Sequence, residues 1–221
     1  MVRNAKFIQS ILSFPVIYLS LQRLMGSHRF RTRFVKNHIR PYRAMTILDL
    51  GCGPADILSY LPNVDYWGFD ISEKYIGRAI RRFGQRGKFY CHDLEHADLV
   101  KMPSFNIVLA LGLLHHLNDD EALNVINLSY HILKPGGRLL TVDPCLKTGQ
   151  NAIAHFLVRN DRGQNVRTKK KYANLVRTVF DNPRIEIRNQ TWIPYTHCIM
   201  AVSYTHLTLP TNTNACRGGG G

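Results

Sequence analysis

The sequence predicts a doubly wound α/β fold: a mostly parallel seven-stranded sheet, helices on both faces and a C-terminal antiparallel hairpin. Short apolar runs at 46–50, 64–69, 87–91, 105–110 and 137–142 alternate with helical patterns at 55–61, 73–84, 94–100 and 119–132. A glycine turn, Gly51-Cys52-Gly53, stands where the first strand hands over to the first helix. After helices near 151–158 and 168–180, strands at 184–190 and 195–201 are separated only by a short connection holding Pro194. That connection suits an antiparallel pair, since parallel neighbours need a long crossover.

A chain of 221 residues with 45% hydrophobic composition buries one sizeable core, so one domain is expected. Five cysteines without a C-x-x-C pair or a His/Cys cluster argue against a zinc site and against a disulfide framework. No metal is therefore expected, and a reducing, cytoplasmic setting is. The formal net charge of +14 favours anionic partners, whether nucleic acid, lipid headgroups or an acidic substrate.

Residues 1–45 read as a helical extension, 46–201 as the core domain and 202–221 as a foreign tail. Phe7 to Leu24 is apolar-rich but interrupted by Gln9, Ser10, Ser13, Pro15 and Ser20. It falls short of the roughly 18 apolar residues of a spanning helix. Amphipathic helices closing over the ligand side are expected there. Peripheral membrane contact through residues 7–43 is the other reading, helped by Arg29, Arg31, Arg33, Lys36, Arg40 and Arg43. Pro41 ends the basic helix. Val202 to Thr211 resembles one reading frame of a transposase adapter used in sequencing libraries, and four glycines close the chain.

The first strand and its turn carry the most information. Ile47, Leu48 and Leu50 make a buried strand, and Gly51 and Gly53 allow a sharp turn and close approach of a ligand. The helix start behind them offers unpaired N–H groups to an anion. A dinucleotide fingerprint wants a third glycine where Asp56 stands, and that carboxylate sits badly beside phosphates. Strand two ends at Asp70, seventeen residues beyond Gly53 and about where a ribose-binding acid belongs. Asp70-Ile71-Ser72 equally reads as a cap for the helix from Glu73. Strand three runs into His92-Asp93, and Asp93 also suits an N-cap for Leu94 onward. Strand four continues into Leu111-Gly112-Leu113-Leu114-His115-His116, with Asn118 and Asp119 as caps of the next helix. A histidine here suits a general base near neutral pH.

Asp49-x-Gly51-x-Gly53 resembles motif I of the class I S-adenosylmethionine (SAM) methyltransferases, and the later features follow over 46–145 in that family's order. The resemblance implies SAM as cofactor, held by Asp49, Gly51, Cys52, Gly53, Asp70, Ile71, Asp93, Leu94, Leu111 and Gly112. In it Asp70 takes the ribose hydroxyls, Ile71 packs on the adenine and Asp93 holds the adenine amino group. Lys134-Pro135-Gly136-Gly137, the turn into strand five, matches as well. The segment with His115 and His116 corresponds to the one beneath the cofactor, where paired histidines occur with unrelated substrates; either is a candidate catalytic base. The Asn/Asp-Pro-Pro-aromatic motif of amino-methylating DNA enzymes is absent. No cysteine lies between Asp93 and Asp143 to serve as a cytosine-C5 nucleophile.

Residues 143–201 should face the acceptor. Asp143, Arg162, Arg167, Tyr195 and His197 are the candidate substrate contacts, with the 161–168 stretch read either as anion-binding or as a solvated loop whose Thr168 caps the next helix. The expected activity is methyl transfer to a small-molecule or lipid-linked acceptor at O, N or C. The alternatives are an RNA methyltransferase using Arg78, Arg81, Arg82 and Arg86, and a non-catalytic SAM-binding subunit.

Overall fold

Strand β1 (Thr46–Leu50) is buried from Ile47 to Leu50, as a strand covered on both faces must be. The computed structural model describes residues 27–92, 102–159, 163–190 and 195–204. Within them β2 (Asp65–Asp70), β3 (Lys88–Cys91), β4 (Phe105–Leu111) and β5 (Leu133–Leu146) run parallel to β1. The hairpin β7 (Arg184–Gln190) and β8 (Tyr195–Ser203) pairs antiparallel, and β8 runs antiparallel to β5. The sheet order is β3-β2-β1-β4-β5-β8-β7, and a two-residue strand, β6 (Arg167–Thr168), adds to β5. The expected fold class is present, with β6 as an unforeseen addition.

Alternation along the strands divides the core. Ile47, Ile107, Leu140 and Ile199 point to one face, where α1 (Ser27–Phe34) and α2 (Glu73–Phe83) cover them. Leu48, Val108, Leu139 and Met200 point to the other, beneath α3 (Asp119–Ile132) and α5 (Lys169–Arg177). A shorter helix, α4 (Ala152–Arg159), packs Leu157 and Val158 with Tyr195. α3 starts on a capping box between Asn118 and Glu121, as the Asn118-Asp119 pair foretold.

Three elements differ from expectation. The helix expected at 55–61 is a single 3-10 turn, Asp56–Tyr60. Ala55 is left-handed (φ 54°), so helical geometry begins only at Asp56, and Pro62 stops it. The face it leaves bare is filled by α1 and the π-turn Val35–Ile39 behind it. Phe34 and Ile39 share a cluster with Ile57, Leu58 and Leu61. β5 begins at Leu133 rather than 137, because Leu133 pairs with Phe105 before an irregularity brings Arg138 opposite Ile107. β8 runs to Ser203, two residues beyond the strand expected at 195–201: Val202 is buried opposite Leu139, and Tyr204 exchanges backbone hydrogen bonds with Gly136 and Gly137. The expected elements at 7–24 and 94–100, and residues 205–221, lie outside the described residues. No described helix is long and apolar enough to cross a membrane.

Candidate active site

Strand order reverses between β1 and β4, and in open α/β sheets the crevice at such a point receives the ligand. The turns after β1 and β4 form its walls. Gly51 (φ 66°) and Gly53 (φ 54°) both lie in the left-handed region. A Cβ on Gly51 would also come within 3.0 Å of the Leu113 side chain from the β4 turn. Gly112 leaves the sheet at φ 75° and donates its N–H to Val142.

Asp70 ties the first wall to β2. Its Oδ2 accepts the Gly53 N–H at 2.8 Å, and its Oδ1 accepts the Ser72 N–H at 2.8 Å. Each oxygen keeps a further lone pair, so the carboxylate is oriented yet able to accept two hydroxyls. The capping of α2 is done by Ser72, whose hydroxyl accepts the Tyr75 N–H. The capping expected of this stretch thus falls to Ser72. Ile71 beside it is 81% exposed, a large apolar side chain without cover at a strand end.

Asp49 lies one turn deeper and is buried. Its Oδ2 accepts the Tyr66 hydroxyl at 2.5 Å, while its Oδ1 is buried with no hydrogen-bond partner among the described residues. Burial pushes the carboxyl up to about 7; the Asp70 charge adds, and the Tyr66 hydrogen bond opposes. An orphaned buried acceptor behind a glycine turn fits a ligand cation such as the ammonium of an amino-acid moiety. Tyr66 escaped the sequence reading; its one signal was a tyrosine at a buried position of a central strand.

The Cys52 thiol turns inward against Gly68, and burial raises its pKa strongly. The anion-binding helix start is corrected: a five-residue 3-10 turn has no helix dipole of consequence.

The second wall holds the histidines. His115 is buried, and Asp143 Oδ1 receives both its backbone N–H (3.2 Å) and its Nδ1 (3.0 Å). That contact places the proton on Nδ1 when Asp143 is ionised, leaving Nε2 as the basic nitrogen. Asp143 Oδ2 is buried without a hydrogen-bond partner among the described residues. His116 is exposed, its ring 4.0 Å from that of His115. Gly163 lies against the His115 ring, where any Cβ would collide, and Asn165 donates its N–H to the His115 carbonyl.

Arg167 is a clamp, contrary to the anion-binding expectation. Its guanidinium is buried and donates to the Leu114, Leu117 and Asn165 carbonyls and to Asp119, through Nε and both terminal nitrogens. Four of its five N–H groups are engaged in hydrogen bonds and Nη2 also pairs with Asp119 at 2.7 Å, so the guanidinium is committed to the protein rather than to a substrate anion. Thr168 caps α5, as the alternative reading of that stretch had it. Tyr195 is likewise mostly packed in the core, 4.9 Å from the His197 ring. His197 stacks on Phe30 of α1 at 5.5 Å, which carries the N-terminal helix to the crevice end of the sheet. Leu111 is half-buried beside Gly112. Asp93, Leu94 and Arg162 lie outside the described residues. Among the described residues no group of three side chains suits a metal ion.

Residues 47–137 match the family model of a methyltransferase domain. The chain is 32% identical over 127 residues to a ubiquinone/menaquinone biosynthesis C-methyltransferase of Desulfotalea psychrophila, spanning 54% of this chain and 49% of that protein. It is 30% identical over 135 residues to an O-methyltransferase of Pyrenophora dematioidea, spanning 55% and 49%. The chain thus spans about half the length of the curated relatives it matches. Among solved structures, the 1,6-didemethyltoxoflavin-N1-methyltransferase of Burkholderia thailandensis superposes with a TM-score of 0.65 at 18% identity, over 93% of this chain and 88% of that one.

Proposed function

We propose that the chain is a class I SAM-dependent methyltransferase and that it methylates a small-molecule or lipid-linked acceptor. The observation that carries the cofactor half is the pair of carboxylates on the β1–β2 wall. Asp70 is oriented by the Gly53 and Ser72 amides for ribose hydroxyls, and Asp49 has a buried oxygen unpaired. Asp49, the Gly51–Gly53 backbone, Asp70 and Ile71 would hold SAM, which supplies a methyl group on a sulfonium, already a good leaving group.

The chain's own part is mostly placement. Holding an acceptor in line and excluding water accounts for most of the acceleration such a transfer needs. The packed segment Gly163–Arg167 closes over the β4 turn and keeps His115 out of bulk water. The His115–Asp143 pair is the candidate for removing a proton, with Asp143 fixing the ring and steadying its charged form.

The acceptor reading rests on how the basic residues are used. Of the four arginines on and after α2, Arg82 pairs with Asp56 and Ser59, and Arg86 donates to the Leu58 and Leu61 carbonyls. Those two brace the short 3-10 turn rather than present a phosphate-binding row, which weighs against RNA. The test is an acceptor screen with methyl-labelled SAM over total cell extract. Label in organic-extractable or low-mass fractions supports the proposal; label confined to RNA overturns the acceptor class. Absence of SAM binding by calorimetry overturns the whole.

A further inference from the structure

At the opposite end of the sheet from the crevice lies a cavity of about 300 Å³. Asn37, His38 and Arg40 enter it from the π-turn, Arg138 from the start of β5, and Asn182 and Arg184 from the approach to β7. Asp181 is the one acid of the lining. We propose that this cavity is an anion site for a phosphate-bearing small ligand, held by Arg40, Arg138 and Arg184.

Three arginines line this cavity, and none of them forms an ion pair among the described residues. Arg138 spends two N–H groups on the His38 and Ile39 carbonyls, at 2.7 and 2.8 Å, which leaves three of its five. Arg40 spends only Nε, on the Asn37 carbonyl. Among the described residues no side-chain hydrogen bond engages Arg184. His38 Nε2 is buried without a hydrogen-bond partner among the described residues, 3.9 Å from Glu186, a carboxylate that Arg188 already holds.

The local field agrees. Burial lowers the His38 pKa first; Glu186 opposes, while Arg188, Arg184 and Arg138 add to the lowering. Burial and the facing Arg40 lower that of Arg138. Like charges gathered on a concave surface repel unless a counter-charge joins them. A phosphate, with up to two negative charges and acceptors for several forks, can join more than one guanidinium group at once. The cavity is separate from the SAM crevice: Arg138 sits opposite Ser203, whereas Asp143 sits opposite Cys198, five pairs further along the same ladder.

The test uses the full chain in phosphate-free buffer at fixed ionic strength. Inorganic phosphate and pyrophosphate are titrated by calorimetry, with chloride and acetate as controls. Saturable binding is expected, weakened at least tenfold in the Arg40→Gln/Arg184→Gln double variant. It should be unchanged in Arg78→Gln/Arg81→Gln, which alters exposed arginines of α2, and unchanged with the crevice saturated by S-adenosylhomocysteine. Both altered cavity arginines are exposed, so the double variant should keep its melting temperature without ligand. Co-sedimentation with phosphatidate vesicles that needs the same two arginines assigns the phosphate to a lipid headgroup; pyrophosphate binding without co-sedimentation assigns it to a soluble ligand. No saturable binding, equal binding by the cavity double variant, or displacement by S-adenosylhomocysteine would overturn the proposal.

Discussion

Tyr66 donates its hydroxyl to Asp49 across the β1–β2 boundary at 2.5 Å, with both residues fully enclosed by the sheet and its helices. The contact anchors one carboxylate oxygen and leaves the other buried with no hydrogen-bond partner among the described residues. Burial holds the carboxyl protonated up to about pH 7 in the folded ligand-free protein, against an ordinary value of 3.8. The folded state therefore binds more protons than the unfolded state between those values. Stability contributed by this group is present in full below about pH 4 and is lost as pH rises through 7. Asp49→Asn should flatten the stability–pH curve across that window. An unchanged slope in the Asn variant would exclude Asp49 as its source. A cation seated on the free oxygen reverses the preference, so SAM binding near pH 6 should release up to one proton. Calorimetry in buffers of different ionisation enthalpy reads that directly.

Asp70→Ala removes the acceptor for both the Gly53 and Ser72 amides and, on the proposed role, for the ribose hydroxyls. Charge-assisted hydrogen bonds contribute about 1.5–3 kcal/mol each. SAM affinity should fall at least about tenfold, since 1.4 kcal/mol is a factor of ten. Wild-type affinity with the fold intact would remove Asp70 from the site.

A valine at Gly51 faces two obstacles, the left-handed φ and the Leu113 side chain. At Gly53 the surrounding space is open, and φ alone opposes the substitution. Gly51→Val should abolish SAM binding, and Gly53→Val should abolish it with less effect on stability. Equilibrium binding and thermal melts of the two variants check the order. Normal binding by both would show that the turn does not touch the cofactor.

Arg167→Met leaves the Leu114, Leu117 and Asn165 carbonyls without their buried donor. The expected loss is roughly 2–4 kcal/mol of unfolding free energy, read from urea titration. The β4 turn should loosen with it, so kcat should suffer more than SAM affinity. A stability change under about 0.5 kcal/mol, the size of a neutral surface substitution, would contradict the clamp.

Truncation after Tyr204 should shift the melting temperature by no more than about 2 °C. Truncation after Ala201 should cost far more, because Val202 is buried and Tyr204 holds Gly136 and Gly137 while its ring meets Tyr130 edge-on at 4.7 Å. Equal melting of the two truncations would show that the end of β8 is dispensable.

The sequence by itself determined the strand–helix alternation, the glycine turn at 51–53 and the acid at 70. Each of these is local: hydrophobic period, turn chemistry and spacing are written in neighbouring residues. It also placed the antiparallel pair at the end, since a short connection allows no other arrangement. Only the tertiary structure decided which polar side chains were available for chemistry. Arg167 and Arg138 look alike in the chain, yet one is absorbed by the Leu114, Leu117 and Asn165 carbonyls and Asp119, and the other lines a basic cavity. Cys52 was legible as part of the turn but not as a thiol turned into the core. Tyr66 and Asp49, seventeen residues apart, meet because β1 and β2 pair with Ile47 opposite Tyr66, a register no local pattern encodes. Hydrogen-bond satisfaction is a property of the packed whole: whether a buried donor or acceptor is spent or free depends on partners that only folding brings within reach.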